Sequence, residues 1–158
     1  EISVAPEDLA AIDGAPAMEQ YVPATLTWEG VEYSGGLRYK GSVGAWVGCT
    51  EGSQNGNPFD QSGAKTCPKL SMKMSFNEYD PEGRFFGLKK LQFHAMNHDP
   101  SLMRERLGYW LYRQMGVPAP RAVHARLNIN GEYQGLFILV EQIDVPLREQ
   151  LIVELYSK

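Results

Sequence analysis

The chain has 158 residues, 43% of them hydrophobic, with a formal net charge of -4 and a pI near 5.4. That length supports one substantial core rather than two, and an acidic chain whose lysines and arginines are scattered among acids offers no field for nucleic acid. The longest apolar run, Leu136 to Val140, is far too short for a membrane span.

Glu1 heads the sequence with no apolar h-region before or after it, as in a chain whose leader has been removed or in a fragment of a longer one. Residues 1–20 carry two prolines and no sustained period, and read as a peripheral lead-in with a short helix from Pro6 to Ile12. Ala24 to Trp28 and Val31 to Lys40 predict a hairpin turning at Glu29-Gly30. In it Leu37 and Tyr39 share one face, while Arg38 and Lys40 share the other.

Gly48 to Pro68 is rich in turn formers and reads as an inserted loop, 48–68. Cys49 and Cys67 bracket it, and a disulfide between them is the expected state, with two free thiols as the alternative. Closing such a loop contributes roughly 3 kcal/mol in the chain-entropy picture. It also points to an oxidising location: secreted, extracellular or at the cell surface. Asn55, Asn57 and Asp60 supply too few carboxylates for a calcium site.

Leu70, Met72, Met74 and Phe76 alternate with polar residues, as do Leu91, Phe93 and Ala95, predicting two half-buried strands around a turn at Asp80 to Gly83. Asp99-Pro100 is expected to open a helix whose apolar stripe, Met103, Leu107, Trp110, Leu111 and Met115, packs on the sheet before Gly116 and Pro118 end it. Val123 to Ile129 and Tyr133 to Ile143 flank Asn130-Gly131, a strong hairpin signal, and Leu136 to Val140 should form a central strand. The fold class expected from this order is α+β, a mainly antiparallel sheet with one principal packed helix. His94 and His98 precede the helix start, so local polar roles are expected of them rather than metal binding.

Several words stand in a telling order: Gly36-Leu37-Arg38-Tyr39-Lys40-Gly41, Lys69-Leu70-Ser71-Met72-Lys73-Met74-Ser75-Phe76 and Phe86-Gly87-Leu88-Lys89-Lys90-Leu91. Asp99-Pro100-Ser101-Leu102-Met103-Arg104-Glu105, Gly116-Val117-Pro118-Ala119-Pro120-Arg121 and Asn130-Gly131-Glu132-Tyr133-Gln134-Gly135-Leu136 follow, running into Val140-Glu141-Gln142-Ile143-Asp144. Over residues 21–144 the series resembles the spore-coat protein H (CotH) kinase family.

The resemblance implies the small lobe of an atypical protein kinase, in a protein that uses ATP with Mg or Mn to phosphorylate Ser/Thr of secreted or coat proteins. It implies Lys73 as a phosphate contact, with a solvated strand lysine as the plainer alternative. Arg38, Lys40 and Ser42 would border a phosphate-facing turn at Gly41 to Gly44, with a plain hairpin turn as the favoured alternative, and Ser42-Val43-Gly44 departs from the family's Asn-Ser-Ser pattern. Glu105 would pair with Lys73, yet helical geometry turns it away from the apolar stripe, and a first-turn acid favoured by the helix dipole is the alternative. The backbone of Glu141 and Gln142, at the end of the central strand, would meet adenine, with a polar strand exit as the alternative. No metal ligand or catalytic acid is assigned in this chain, because residues 145–158 read as a connection toward a second lobe. The competing expectation is a non-catalytic surface or assembly module, whose partner is a coat protein rather than a nucleotide.

Overall fold

The computed structural model describes residues 1–142, and the expected connection at 145–158, with Ile143 and Asp144, lies outside the described residues. Seven strands close into one barrel: β1 (Ile2–Val4), β2 (Val22–Trp28), β3 (Val31–Tyr39), β4 (Met72–Ser75), β5 (Lys90–His94), β6 (Ala122–Ile129) and β7 (Glu132–Glu141). Around the wall they run β1-β2-β3-β4-β5-β7-β6. All contacts between neighbours are antiparallel except the closing one, where Ile2 of β1 meets Ile129 of β6 in parallel.

The α+β sheet with a packed helix, drawn from the kinase small lobe, is therefore incorrect. A sheet needs a helix when its face and edges are open. Here β1, from the segment set apart as a lead-in, pairs with both β2 and β6 and leaves no edge to cover. The interior is filled by the strands' own side chains. Ile2, Leu37, Tyr39, Met72, Met74, Phe76, Leu91, Phe93 and Phe137 are all at most 4% exposed. Alternation explains this set, and each expected inward residue of β3, β4 and β5 is buried as expected.

Both hairpin turns form at the expected dipeptides. Glu29 and Gly30 have φ of 49° and 79°, and Asn130 and Gly131 have 52° and 81°, the left-handed pair that matches strand twist. Cys49 and Cys67 are joined, and the loop they close is more than a solvated excursion. Thr50 is fully buried, with its hydroxyl donating to Asp60 O at 2.7 Å, and a 3-10 turn occupies Gly52–Gln54. The loop is tied to the barrel through Lys65 Nζ, which donates to Tyr39 Oη at 2.9 Å, while that hydroxyl donates to Asp13 Oδ1 at 2.6 Å. Asp13 belongs to α1 (Pro6–Gly14), the short helix expected after Pro6.

The longest helix departs most from expectation. After the four-residue α2 (Val43–Trp46), α3 spans Arg104–Gln114 and begins later than Asp99-Pro100. Leu102, at φ 54°, breaks the run. Asp99 still caps from a distance, its Oδ2 accepting from the Arg104 amide at 2.8 Å and its Oδ1 from the Ser101 amide at 3.1 Å. No residue of α3 is buried: Leu107, Trp110, Leu111 and Met115 are 51%, 52%, 51% and 66% exposed. The helix instead faces the outside of the barrel with Tyr109, which packs with Met96 against Ala122, Ile138 and Val140. The expected central strand, β7, is thus covered on its outer side, though by Tyr109 rather than by the stripe.

Candidate functional site

Strand alternation that buries Leu37, Tyr39, Met72 and Met74 sends Arg38, Lys40 and Lys73 to the outside of the barrel. Register aligns them: Arg38 of β3 stands opposite Lys73 of β4, which stands opposite Gln92 of β5, and Gln92 opposite Val140 of β7. The sequence-derived candidates Arg38, Lys40 and Lys73 therefore share one face.

Each cation has a different environment. Arg38 is held by the Glu19 carboxylate and donates to Tyr39 O at 2.9 Å, with its guanidinium 5.1 Å from the centre of the Tyr21 ring. Lys40 Nζ lies 2.6 Å from Gln92 Oε1 and 3.0 Å from His94 Nε2. Lys73 has no hydrogen-bond or carboxylate partner among the described residues. Burial, reinforced by the positive charges of Lys90, Arg38 and Lys40 and only partly offset by Glu19, pulls its ammonium down to about 8. An ammonium depressed first by burial and then by neighbouring cations marks a place where an anion is stabilising.

Glu105 does not reach Lys73. Its Oε1 lies 2.6 Å from His94 Nδ1 and accepts from Tyr109 Oη at 3.1 Å. Burial opposes its ionisation, but His94, Tyr109 and Lys40 outweigh that and hold its pKa below the usual glutamate value. Burial, with the same carboxylate, pushes the Tyr109 hydroxyl up to about 12. The helix thus turns its acid and its tyrosine to the barrel and its apolar stripe to solvent, which is the outcome its 200° offset from Leu107 required.

Ser42 precedes α2 in extended backbone and caps nothing with its side chain. With Lys40, Gly41, Ala45, Ser71 and His94 it lines an open cavity of about 450 Å³. Glu141 lies away from this group. Alternation places it on Leu91's row, where it accepts from Arg121 Nη2 at 2.9 Å and Nε at 3.1 Å, and its backbone N–H donates to Arg121 O. Next to it, Gln142 Oε1 is buried with no hydrogen-bond partner among the described residues.

The structure therefore gathers Arg38, Lys40 and Lys73, links Glu105 to Lys40 through His94, puts Ser42 beside Lys40, and separates Glu141. Gln92 and His94 are the members that reading by residue type missed. Their signal was the polar side of the alternating run Lys90, Gln92, His94, in register with the cationic side of β3 and β4. Among the described residues His98 contributes only its carbonyl, to Arg104. No group of three or more His, Cys, Asp or Glu that could hold a metal occurs among the described residues.

Comparison with known proteins adds the following. A family model described as CotH kinase protein matches residues 37–154. An inner spore coat protein H-like protein of Bacillus subtilis strain 168 is 42% identical over 60 residues, 38% of this chain and 20% of that protein. The inner spore coat protein H of the same strain is 33% identical over 76 residues, 48% of this chain and 20% of that protein. The matched segments thus span about a fifth of each relative's length.

Proposed function

The chain belongs to the CotH kinase protein family, and from that premise we propose that the outer face of β3, β4 and β5 binds the phosphates of ATP for phosphoryl transfer to Ser/Thr of coat or other secreted proteins. One observation carries this reading: Lys73, flanked by Arg38, Lys40 and Lys90 and unpaired among the described residues, has its pKa drawn down to about 8. Phosphoryl transfer relies on cations that hold the phosphates, and a triphosphate supplies a partner for the Lys73 ammonium, which has none among the described residues. The buried, unpartnered Gln142 Oε1 further supports a ligand that brings a donor, as adenine does through its amino group.

Magnesium or manganese would neutralise developing charge when bound with the nucleotide. The described residues present no donor cluster that fits such an ion, so we assign no step to it and no acid to the acceptor hydroxyl. The relatives' names support a spore-coat location, and coat proteins are the partners proposed with it.

Titration calorimetry of the 158-residue chain with ATP tests the proposal. Binding that weakens at least about tenfold in Lys73→Ala is expected, since a charge-assisted contact is lost. No binding, or binding indifferent to the substitution, overturns it. A second reading, a non-catalytic coat-assembly module, is favoured by the exposed stripe of α3. Metal-dependent autophosphorylation lost in Lys73→Ala would count decisively against that reading.

A further inference from the structure

The contact between Lys40 and Glu105 runs through a third residue. Lys40 Nζ lies 3.0 Å from His94 Nε2, and His94 Nδ1 lies 2.6 Å from Glu105 Oε1. An ammonium can only donate and a carboxylate can only accept. That donor–acceptor pattern fits the Nδ1–H tautomer of the ring, with the proton toward Glu105 and the Nε2 lone pair toward Lys40. Gln92 Oε1, at 2.6 Å, supplies the second acceptor for the ammonium.

The groups that face this chain come from every element packed on it: Arg38 from β3, Lys73 from β4, Gln92 from β5, Glu105 and Tyr109 from α3, and Glu19 from the segment before β2. Glu19 and Glu105 favour the charged ammonium, whereas burial and Arg38 oppose it. His94 and Lys40 also line the cavity bordered by Gly41, Ser42 and Ser71.

We propose that His94 is a positioning residue, locked as the Nδ1–H tautomer by Glu105, which aims the Lys40 ammonium into this cavity to take a phosphate oxygen of the nucleotide. The inference rests on the ATP-phosphate reading above and adds to it the element that orients the second cation. It also explains why α3 turns Glu105 inward: the helix acid acts on the lysine through the imidazole, not by direct contact.

The test combines a spectroscopic and a binding measurement on the 158-residue chain. Nitrogen-15 NMR of histidine-labelled protein should show a protonated-type Nδ1 and a pyridine-type Nε2 for His94 without nucleotide. In His94→Leu, ATP affinity should fall about tenfold, the loss of one charge-assisted arrangement. In His94→Gln, whose amide can accept from Lys40 and donate to Glu105, it should stay within about twofold. Native-like amide spectra of both variants separate positioning from misfolding. An Nε2–H tautomer, or wild-type ATP affinity in His94→Leu, overturns the inference. Should the unaltered chain take no ATP, the phosphate reading falls separately. The tautomer, together with the Lys40 ammonium resonance in His94→Leu, then decides the positioning: a resonance unchanged by the substitution refutes it.

Discussion

The interior of the barrel and the outer face of β3, β4 and β5 are built from the same strands, residue by alternate residue. Inward, Leu37, Met72, Met74, Leu91 and Phe93 lose nearly all contact with water. Outward, Arg38, Lys40, Lys73, Gln92 and His94 meet one another, Glu19 and Glu105. Burial of apolar surface has no direction, so any well-filled inner set serves. Hydrogen bonds and charges must be matched donor to acceptor, so the outer set depends on each member. The helix sides with the second set, bringing a carboxylate and a hydroxyl to the strands and leaving its apolar residues in water.

If that division holds, the largest effect belongs to the interior. Leu37 is fully buried on β3. In Leu37→Asp a carboxylate would lie among Met74 and its neighbours without a partner, a cost of several kcal/mol that approaches or exceeds the whole stability of a domain this size. We expect no cooperative unfolding transition by circular dichroism. A folded Leu37→Asp barrel would break the comparison, because it would mean the inner row can exchange places with the outer one.

How much of this was legible follows from the same contrast. The inner rows could be read because alternation is local: Leu70, Met72, Met74 and Phe76 state their own face. The turns at Glu29-Gly30 and Asn130-Gly131 could be read because left-handed backbone has a residue signature. Closure could not be read, since it depends on Ile2 meeting Ile129, and no local pattern announces a contact across nearly the whole chain. The helix was misread for a physical reason. An apolar stripe normally faces a core, but here the strands already filled theirs, and the unmet demand was for an acid beside Lys40 and His94. The cations of the site could be picked out by residue type, whereas the link through His94 needed the register between β3 and β5.

An intermediate effect sharpens the outer half of the comparison. Burial first, then Lys90, Arg38 and Lys40, lower the Lys73 pKa from 10.5 to about 8 in the folded chain. Below about 8 the ammonium is charged in both states, and folding bears the full unfavourable interaction. From about 8 to 10.5 the unfolded chain binds more protons than the folded one, so stability contributed by this group rises with pH. Half-buried Tyr109, whose pKa is raised, acts in the opposite sense above about 10. The difference between the parent chain and Lys73→Met isolates the lysine. We expect the variant to be more heat-stable at pH 7 and this advantage to shrink by pH 9.5. An advantage independent of pH would mean that Lys73 carries no electrostatic burden, and the outer face would lose its claim to an anion.

The smallest effect is expected on the stripe of α3. Leu111 is 51% exposed, so Leu111→Ala removes little buried surface and substitutes a residue of slightly better helix propensity. The change in unfolding free energy should stay within about 0.5 kcal/mol, against about 2–5 kcal/mol for the same truncation inside a core. Urea titration with an unchanged m-value measures it. A loss in the core range would require that Leu111 be covered in solution, and its dependence on protein concentration would then tell whether another copy of the chain does the covering. A loss near zero leaves α3 as the structure has it, a helix fastened to the barrel through Glu105 and Tyr109, whose apolar side contributes nothing to holding this chain together.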